Sequence, residues 1–193
     1  MKSPQSAGSG TSSDGTPYSV DAVSVSGTVT AAFADAHAGT NKQIAVTGLS
    51  LTGTGASNYS VTSASVNATI TPAVLTVTAP TITGASKTYD GLLSATGSSL
   101  SGGGVTGFVG SDTGSLNISG VTLAYSDAHV ATSNKTIGAS GGITLNFTGA
   151  QSGMGNGTAG NQVAGLVSDY SFTAPSISSI AGTINPATLT PTL

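Results

Sequence analysis

The sequence predicts an all-β (mostly β) fold: two tandem small repeat modules of β-sandwich or β-grasp type, elongated along the chain. Three observations lead there. The 193 residues contain four Lys and seven Asp but no Arg and no Glu, so the charged helix formers are nearly absent while Thr, Ser, Gly and Val abound. Apolar and small polar residues alternate with a period of two in "SVSGTVTAAF" and "IAVTGLSLTG", and again in "GSLNISGVTLAY" and "GITLNFTG". A block of sequence also occurs twice.

"FADAHAGTNKQI", from Phe33, returns as "YSDAHVATSNKTI", from Tyr125. Phe33 and Tyr125, Asp35 and Asp127, and His37 and His129 each lie 92 positions apart, and Lys42 and Lys135 lie 93 apart. Tyr59 and Tyr170 are separated by 111 positions, and "ITPAVL" from Ile70 matches "INPATL" from Ile184 at 114. Ordered matches with one insertion between them define a duplication.

Taken in order, residues 1–16 read as a linker or tag-like leader. Met1-Lys2 is followed by no apolar core, so this stretch is not a signal peptide. Residues 17–72 form the first module, which lacks an opening strand. Residues 73–193 form the second, opened by "AVLTVTAPTIT". Pro72 and Pro186 mark the places where one unit gives way to the next, because proline donates no ladder hydrogen bond. Each module is expected to hold roughly five or six strands separated by Gly-, Asn- and Ser-rich breaks. A short helical turn has its best chance within 86–100. The Gly-rich stretch 149–165 is a long loop in the second module, of the kind that carries function or stays disordered.

Composition excludes several functions. Four Lys make no basic patch, so nucleic acid is not a partner. No apolar run approaches the roughly 18 residues of a membrane helix, so membrane insertion is not expected. Without Cys there are no disulfides and no thiolate metal sites. A net charge of −3 with a mean hydropathy of +0.22 departs from the composition of disordered chains.

Residues with chemistry are few. "GASGG" at 138–142 matches the G-x-S-x-G nucleophile elbow in letters only, since a strand rather than a helix follows it. Each repeat offers one Asp and one His as metal ligands, too few for a site, and Asp112 stands alone in "GSDTGSLN", too sparse for calcium. No catalytic residue, metal ligand or cofactor is therefore assigned. Asp35 with Lys42, and Asp127 with Lys135, read as exposed ion pairs; the sharper alternative is a Lys–Asp isopeptide cross-link. In "ASKTYDG", Asp90-Gly91 is a turn pair, Tyr89 is expected to pack its ring into the core, and Lys87 to lay its stem over that ring.

"AVLTVTAPTITGASKTYDG", a Gly-rich segment, "DTGSLNISGVTLAYSDAHV", "NKTI", a Tyr-Ser strand and "INPATLT" follow one another. This order resembles the YDG-type repeats found in tandem in very large bacterial surface and secreted proteins of the filamentous-haemagglutinin-like adhesin kind. The resemblance covers nearly all of Ala73–Leu193 and about Val20–Thr71 of the first copy, which has no K-x-Y-D-G. It implies a non-catalytic extracellular stalk module of the bacterial surface, in which Lys87, Tyr89, Asp90 and Gly91 are a structural motif and neighbouring repeats of a longer chain are the partners.

Two other functions remain open. Ala187, Leu189, Pro191 and Leu193 are a candidate donor strand for the first copy of the next molecule, which would make the chain a head-to-tail filament subunit. The loop 149–165 is a candidate binding surface for host or surface glycans.

Overall fold

The computed structural model describes residues 16–18, 21–63, 65–150 and 164–191. Among them regular structure is almost wholly β, with single 3-10 turns at Ala56–Asn58 and Val167–Asp169. The chain divides into two compact units, the first ending at Ile70 and the second beginning at Thr71.

The first unit contains β1 (Ala22–Ser26), β2 (Thr30–Phe33), β3 (Gly39–Thr47), β4 (Ser50–Thr54) and β5 (Val66–Ile70). β1 pairs antiparallel with β4, and β2, β3 and β5 form an antiparallel sheet in that order.

The second unit opens with β6 (Ala73–Val74), β7 (Thr76–Thr78), β8 (Thr81–Thr83), β9 (Ser86–Thr88), β10 (Ser99–Ser101) and β11 (Gly104–Thr106). It continues through β12 (Thr113–Asn117), β13 (Thr122–Tyr125), β14 (Ala131–Ser140), β15 (Thr144–Thr148), β16 (Tyr170–Ser171) and β17 (Ile180–Asn185). Its largest sheet has the order β13-β14-β17-β9, in which β9 runs parallel to β17. β6 is parallel to β16, while β7 with β11, β8 with β10, and β12 with β15 are antiparallel pairs.

The repeated sequences pair in the same way. Phe33 faces Ile44 and Tyr125 faces Ile137; beyond them Ile44 faces Val66 and Ile137 faces Ile180. The extra residue before Lys135 is absorbed in a bulge. Gly39 to Lys42 spans Ile70 to Ala68 on β5, whereas the longer step from Ala131 to Lys135 spans Ile184 to Gly182 on β17. Register is restored on the far side, so the inward face is kept.

The core of the second unit forms where β17 crosses the sheet. Ile137 and Ile184 are fully buried against Ile82, Ala95 and Tyr125, with Leu100, Leu123 and Ile180 packed around them. Gly182 lies inward between them, where a Cβ would meet Tyr125 Cε1 at 2.6 Å and Ile137 Cγ1 at 2.9 Å. In the first unit the counterparts Phe33, Ile44 and Ile70 are only half-buried. There, among the described residues, no strand flanks β5 on the edge that β9 covers on β17.

Two expectations are corrected. The second unit has twelve strands rather than five or six, most of them two to five residues long, and a glycine directly follows five of them. The stretch 86–100 holds no helix; β9 is followed by a turn and by an isolated bridge from Ser94 to Ala124. The 3-10 turns fall instead just before Tyr59 and Tyr170.

Candidate functional site

Parallel pairing sets Lys87 opposite Ile184, so its side chain enters the buried face of the sheet. An ammonium there must use all its protons. Lys87 Nζ donates to Asp90 Oδ1 at 2.7 Å, to the Leu92 carbonyl at 2.6 Å and to the Ser94 carbonyl at 3.1 Å. It also lies 5.4 Å from the centre of the Tyr125 ring, within cation–π range. Asp90 Oδ1 accepts the Leu92 N–H as well (2.9 Å), and Gly91 takes φ +76°, which closes the turn around the cation. The Lys87 hydrogen bond, then that of Leu92, holds the Asp90 carboxyl below the usual carboxylate range.

Tyr89 does not do what its spacing suggested. It is 40 % exposed, and the ring beside Lys87 is Tyr125 on β13. β9 ends at Thr88, so the two-residue period that would place Lys87 and Tyr89 on one face is broken; Tyr89 gives its backbone N–H to the Asn185 carbonyl at 2.8 Å.

The two repeated Asp–Lys pairs are formed, with one change. Asp35 accepts Lys42 Nζ and the His37 N–H (2.9 Å), while Lys42 Nζ also donates to the His37 carbonyl at 2.7 Å. Asp127 accepts Lys135 Nζ at 3.0 Å and the His129 N–H at 2.6 Å. The Lys side chains are only 14 % and 13 % exposed, against 39 % and 42 % for the Asp, so these are half-buried clamps rather than exposed pairs. A register shift immediately precedes each Lys on its strand. Asp35 is held below the usual carboxylate range chiefly by Lys42, and Asp127 chiefly by the His129 N–H and then Lys135. A carboxyl held in its ionised form favours an ion pair over amide formation.

A second repeated constellation escaped the reading by spacing. Tyr59 Oη donates to Asp21 Oδ2 at 2.9 Å and accepts the Tyr18 N–H at 2.8 Å. Tyr170 Oη donates to Asp112 Oδ2 at 2.7 Å and accepts the Val109 N–H at 3.0 Å. Each Asp closes the same turn, Asp21 N–H to the Tyr18 carbonyl and Asp112 N–H to the Val109 carbonyl. Asp112 is buried and also accepts the Ala150 N–H at 2.8 Å. Burial first, and then Asp112, raises the Tyr170 hydroxyl above its ordinary value. The 91-residue offset of Asp21 and Asp112, one short of the main repeat, was the available signal.

Ser140 of "GASGG" ends β14 with its Oγ 2.8 Å from Thr122 Oγ1, and β15 follows. A shallow cleft over Ala95, Leu100, Ile118 and Leu123 is rimmed by Ser and Thr and has no titratable side chain in its lining. Among the described residues, no group of three or more His, Cys, Asp or Glu could hold a metal ion. Ala187, Leu189 and Pro191 lie outside any strand. Leu193, residues 1–15 of the leader and 151–163 of the long loop lie outside the described residues.

A family model described as the YDG domain matches residues 4–67 and again residues 71–162. The chain belongs to the YDG domain family. No curated protein and no solved structure matches it. The first YDG match contains Asp21, Asp35, Lys42 and Tyr59; the second contains Lys87 to Gly91, Asp112, Asp127 and Lys135. Tyr170, whose hydroxyl forms a latch with Asp112, and β17, which pairs with β9, come from residues after that match.

Proposed function

We propose that the chain is a non-catalytic structural segment of a bacterial, extracellular, adhesin-like protein, in which YDG units in series space a distal part from the surface. One observation carries this reading. The parallel pair β9–β17 ties the opening part of the second unit to its last strand, and Lys87 fastens that pair to β13 through Tyr125. Tension applied through the two ends of the unit pulls these parallel strands in opposite directions along their length. The ladder bonds then share the load instead of opening one by one. Each described lysine is likewise engaged in an internal Asp clamp, which suits a part that bears load rather than one that binds charged ligands. The solvent face is dressed with Thr and Ser that pair across strands, as in Thr30 with Thr47 (2.8 Å) and Thr122 with Ser140 (2.8 Å).

Single molecules pulled through their ends test the proposal. The second unit is expected to give one discrete unfolding event, at a force lowered by Lys87→Met. That substitution keeps the stem but leaves the Leu92 and Ser94 carbonyls without their donor, at about 1–3 kcal/mol for each that stays buried. Extension without a discrete event, or a force indifferent to residue 87, overturns the reading.

A further inference from the structure

We propose that Asn117 is an N-glycosylation site of the folded chain, taking a sugar from a diphosphate-activated donor. Among the described residues the triplet Asn-x-Ser/Thr, the acceptor signature for this modification, occurs at Asn58, Asn67, Asn117, Asn134 and Asn146. A chain so rich in Ser and Thr produces such triplets by chance, so the letters alone select none of them. The fold selects one.

Asn117 is the last residue of β12, and a tight turn follows, closed by the Val121 N–H donating to the Ile118 carbonyl at 3.0 Å. There the triplet curls on itself. Asn117 Oδ1 accepts the Ser119 N–H at 3.1 Å and the Ser119 hydroxyl at 2.8 Å. These two donors identify the oxygen of the amide and hold its plane, which leaves Nδ2 as the open end. They also draw amide electron density toward Oδ1, so that a proton is more easily taken from Nδ2. Asn117 and Ser119 are both exposed, and Ile118 between them lines the shallow cleft, so the approach is clear.

The other four triplets are held differently. Asn67 lies within β5, Asn134 within β14 and Asn146 within β15, where the extended backbone sets the Asn and the hydroxyl residue about 6–7 Å apart along the strand. A transferase would have to peel such a triplet from its partner strand. Asn67 Nδ2 is in addition engaged by Asn41 Oδ1 at 2.9 Å. Asn58 ends a 3-10 turn, and Tyr59, the middle of its triplet, is tied to Asp21 through the hydroxyl. Among the described residues, Asn117 alone accepts the hydroxyl of its own triplet.

The reaction joins Nδ2 to the anomeric carbon of the sugar. A base of the transferase takes one Nδ2 proton and the C–N bond forms. The bond from the anomeric carbon to the diphosphate oxygen breaks, and the diphosphate leaves with the electron pair.

For the test, the full folded chain is offered to N-glycosyltransferases that read Asn-x-Ser/Thr, and modified residues are mapped by mass spectrometry. One arm carries the sugar on a nucleoside diphosphate, the other on a lipid diphosphate, and the arm that labels Asn117 names the donor. Asn117 is expected to gain sugar roughly tenfold faster than Asn58, Asn67, Asn134 or Asn146, since orientation of a reacting group is worth at least that much. Five short peptides, one for each triplet, are expected to lose that preference. Ser119→Ala is expected to abolish labelling at Asn117 and Ser119→Thr to retain it, with circular dichroism unchanged in both because Ser119 is exposed. Asn117 unlabelled in both arms, a strand triplet labelled as fast, or the same preference among the peptides each overturn the proposal. Pulling reads force and this test reads covalent mass, so the spacer reading and this one fail separately.

Discussion

Tyr170 and Tyr59 make the same two hydrogen bonds in different surroundings, and the difference sets their worth. Tyr170 and Asp112 are both buried, whereas Tyr59 and Asp21 are half-exposed. In the second unit the phenol is also packed by Phe108 and Phe147, with ring centres 5.4 Å away in both cases. Tyr170→Phe leaves a buried carboxylate with one donor fewer, and is expected to cost about 1.5–3 kcal/mol in urea unfolding. Tyr59→Phe is expected to cost less, because water can reach Asp21 in its place. Equal losses at the two positions would count against burial as the cause. These residues also show why the latch was hard to read: Tyr59 and Tyr170 align by sequence, but their partners lie 38 and 58 residues upstream. Nothing local announces a contact over that distance.

At the scale of elements, β17 is the strand on which the second unit depends. It separates β14 from β9, and its Gly182 lets Tyr125 and Ile137 close over the backbone. Gly182→Ala puts a methyl group against both, and overpacking of this kind is expected to cost about 1–3 kcal/mol, seen as a lower melting temperature. The Tyr125 hydroxyl reaches the Thr183 carbonyl at 3.2 Å, so the ring has little room to retreat. Much of this level was legible. Alternation marked the stretches that hold β1 to β4, β12, β13 and β15, the duplication foretold that β3 and β14 would behave alike, and the Asp–Lys spacing singled out both pairs but not their burial. Pairing was less so. The parallel contact of Lys87 with Ile184 spans almost the whole second unit, and only that contact turns Lys87 inward under Tyr125. Local periodicity, carried one residue past the end of β9, assigned Tyr89 to the core instead.

For the whole molecule, the shifted groups predict a loss of stability at both ends of the pH scale. Asp35, Asp90 and Asp127 titrate below their ordinary value in the folded chain. The unfolded chain therefore takes up protons first on acidification. The stability these groups contribute is present above about pH 4 and is lost as pH falls through their lower folded values. Tyr59, Tyr125 and Tyr170 titrate above theirs, each chiefly through burial. The unfolded chain then releases protons first, so their contribution holds below about pH 10 and fades above it. Urea midpoints measured across pH check both limbs. Tyr170→Phe is expected to flatten the alkaline limb.

The hydroxyl pairs on the sheets have a consequence for the water around the molecule. Thr30 with Thr47, Thr83 with Ser99, and Thr122 with Ser140 join neighbouring strands without any net charge. At 0.1 M, dissolved ions largely screen exposed charges more than about 10 Å apart, but they have no such hold on neutral hydroxyls. With Lys42, Lys87 and Lys135 drawn into the units, these hydroxyl pairs hold their strands together as well in fresh water as in brine.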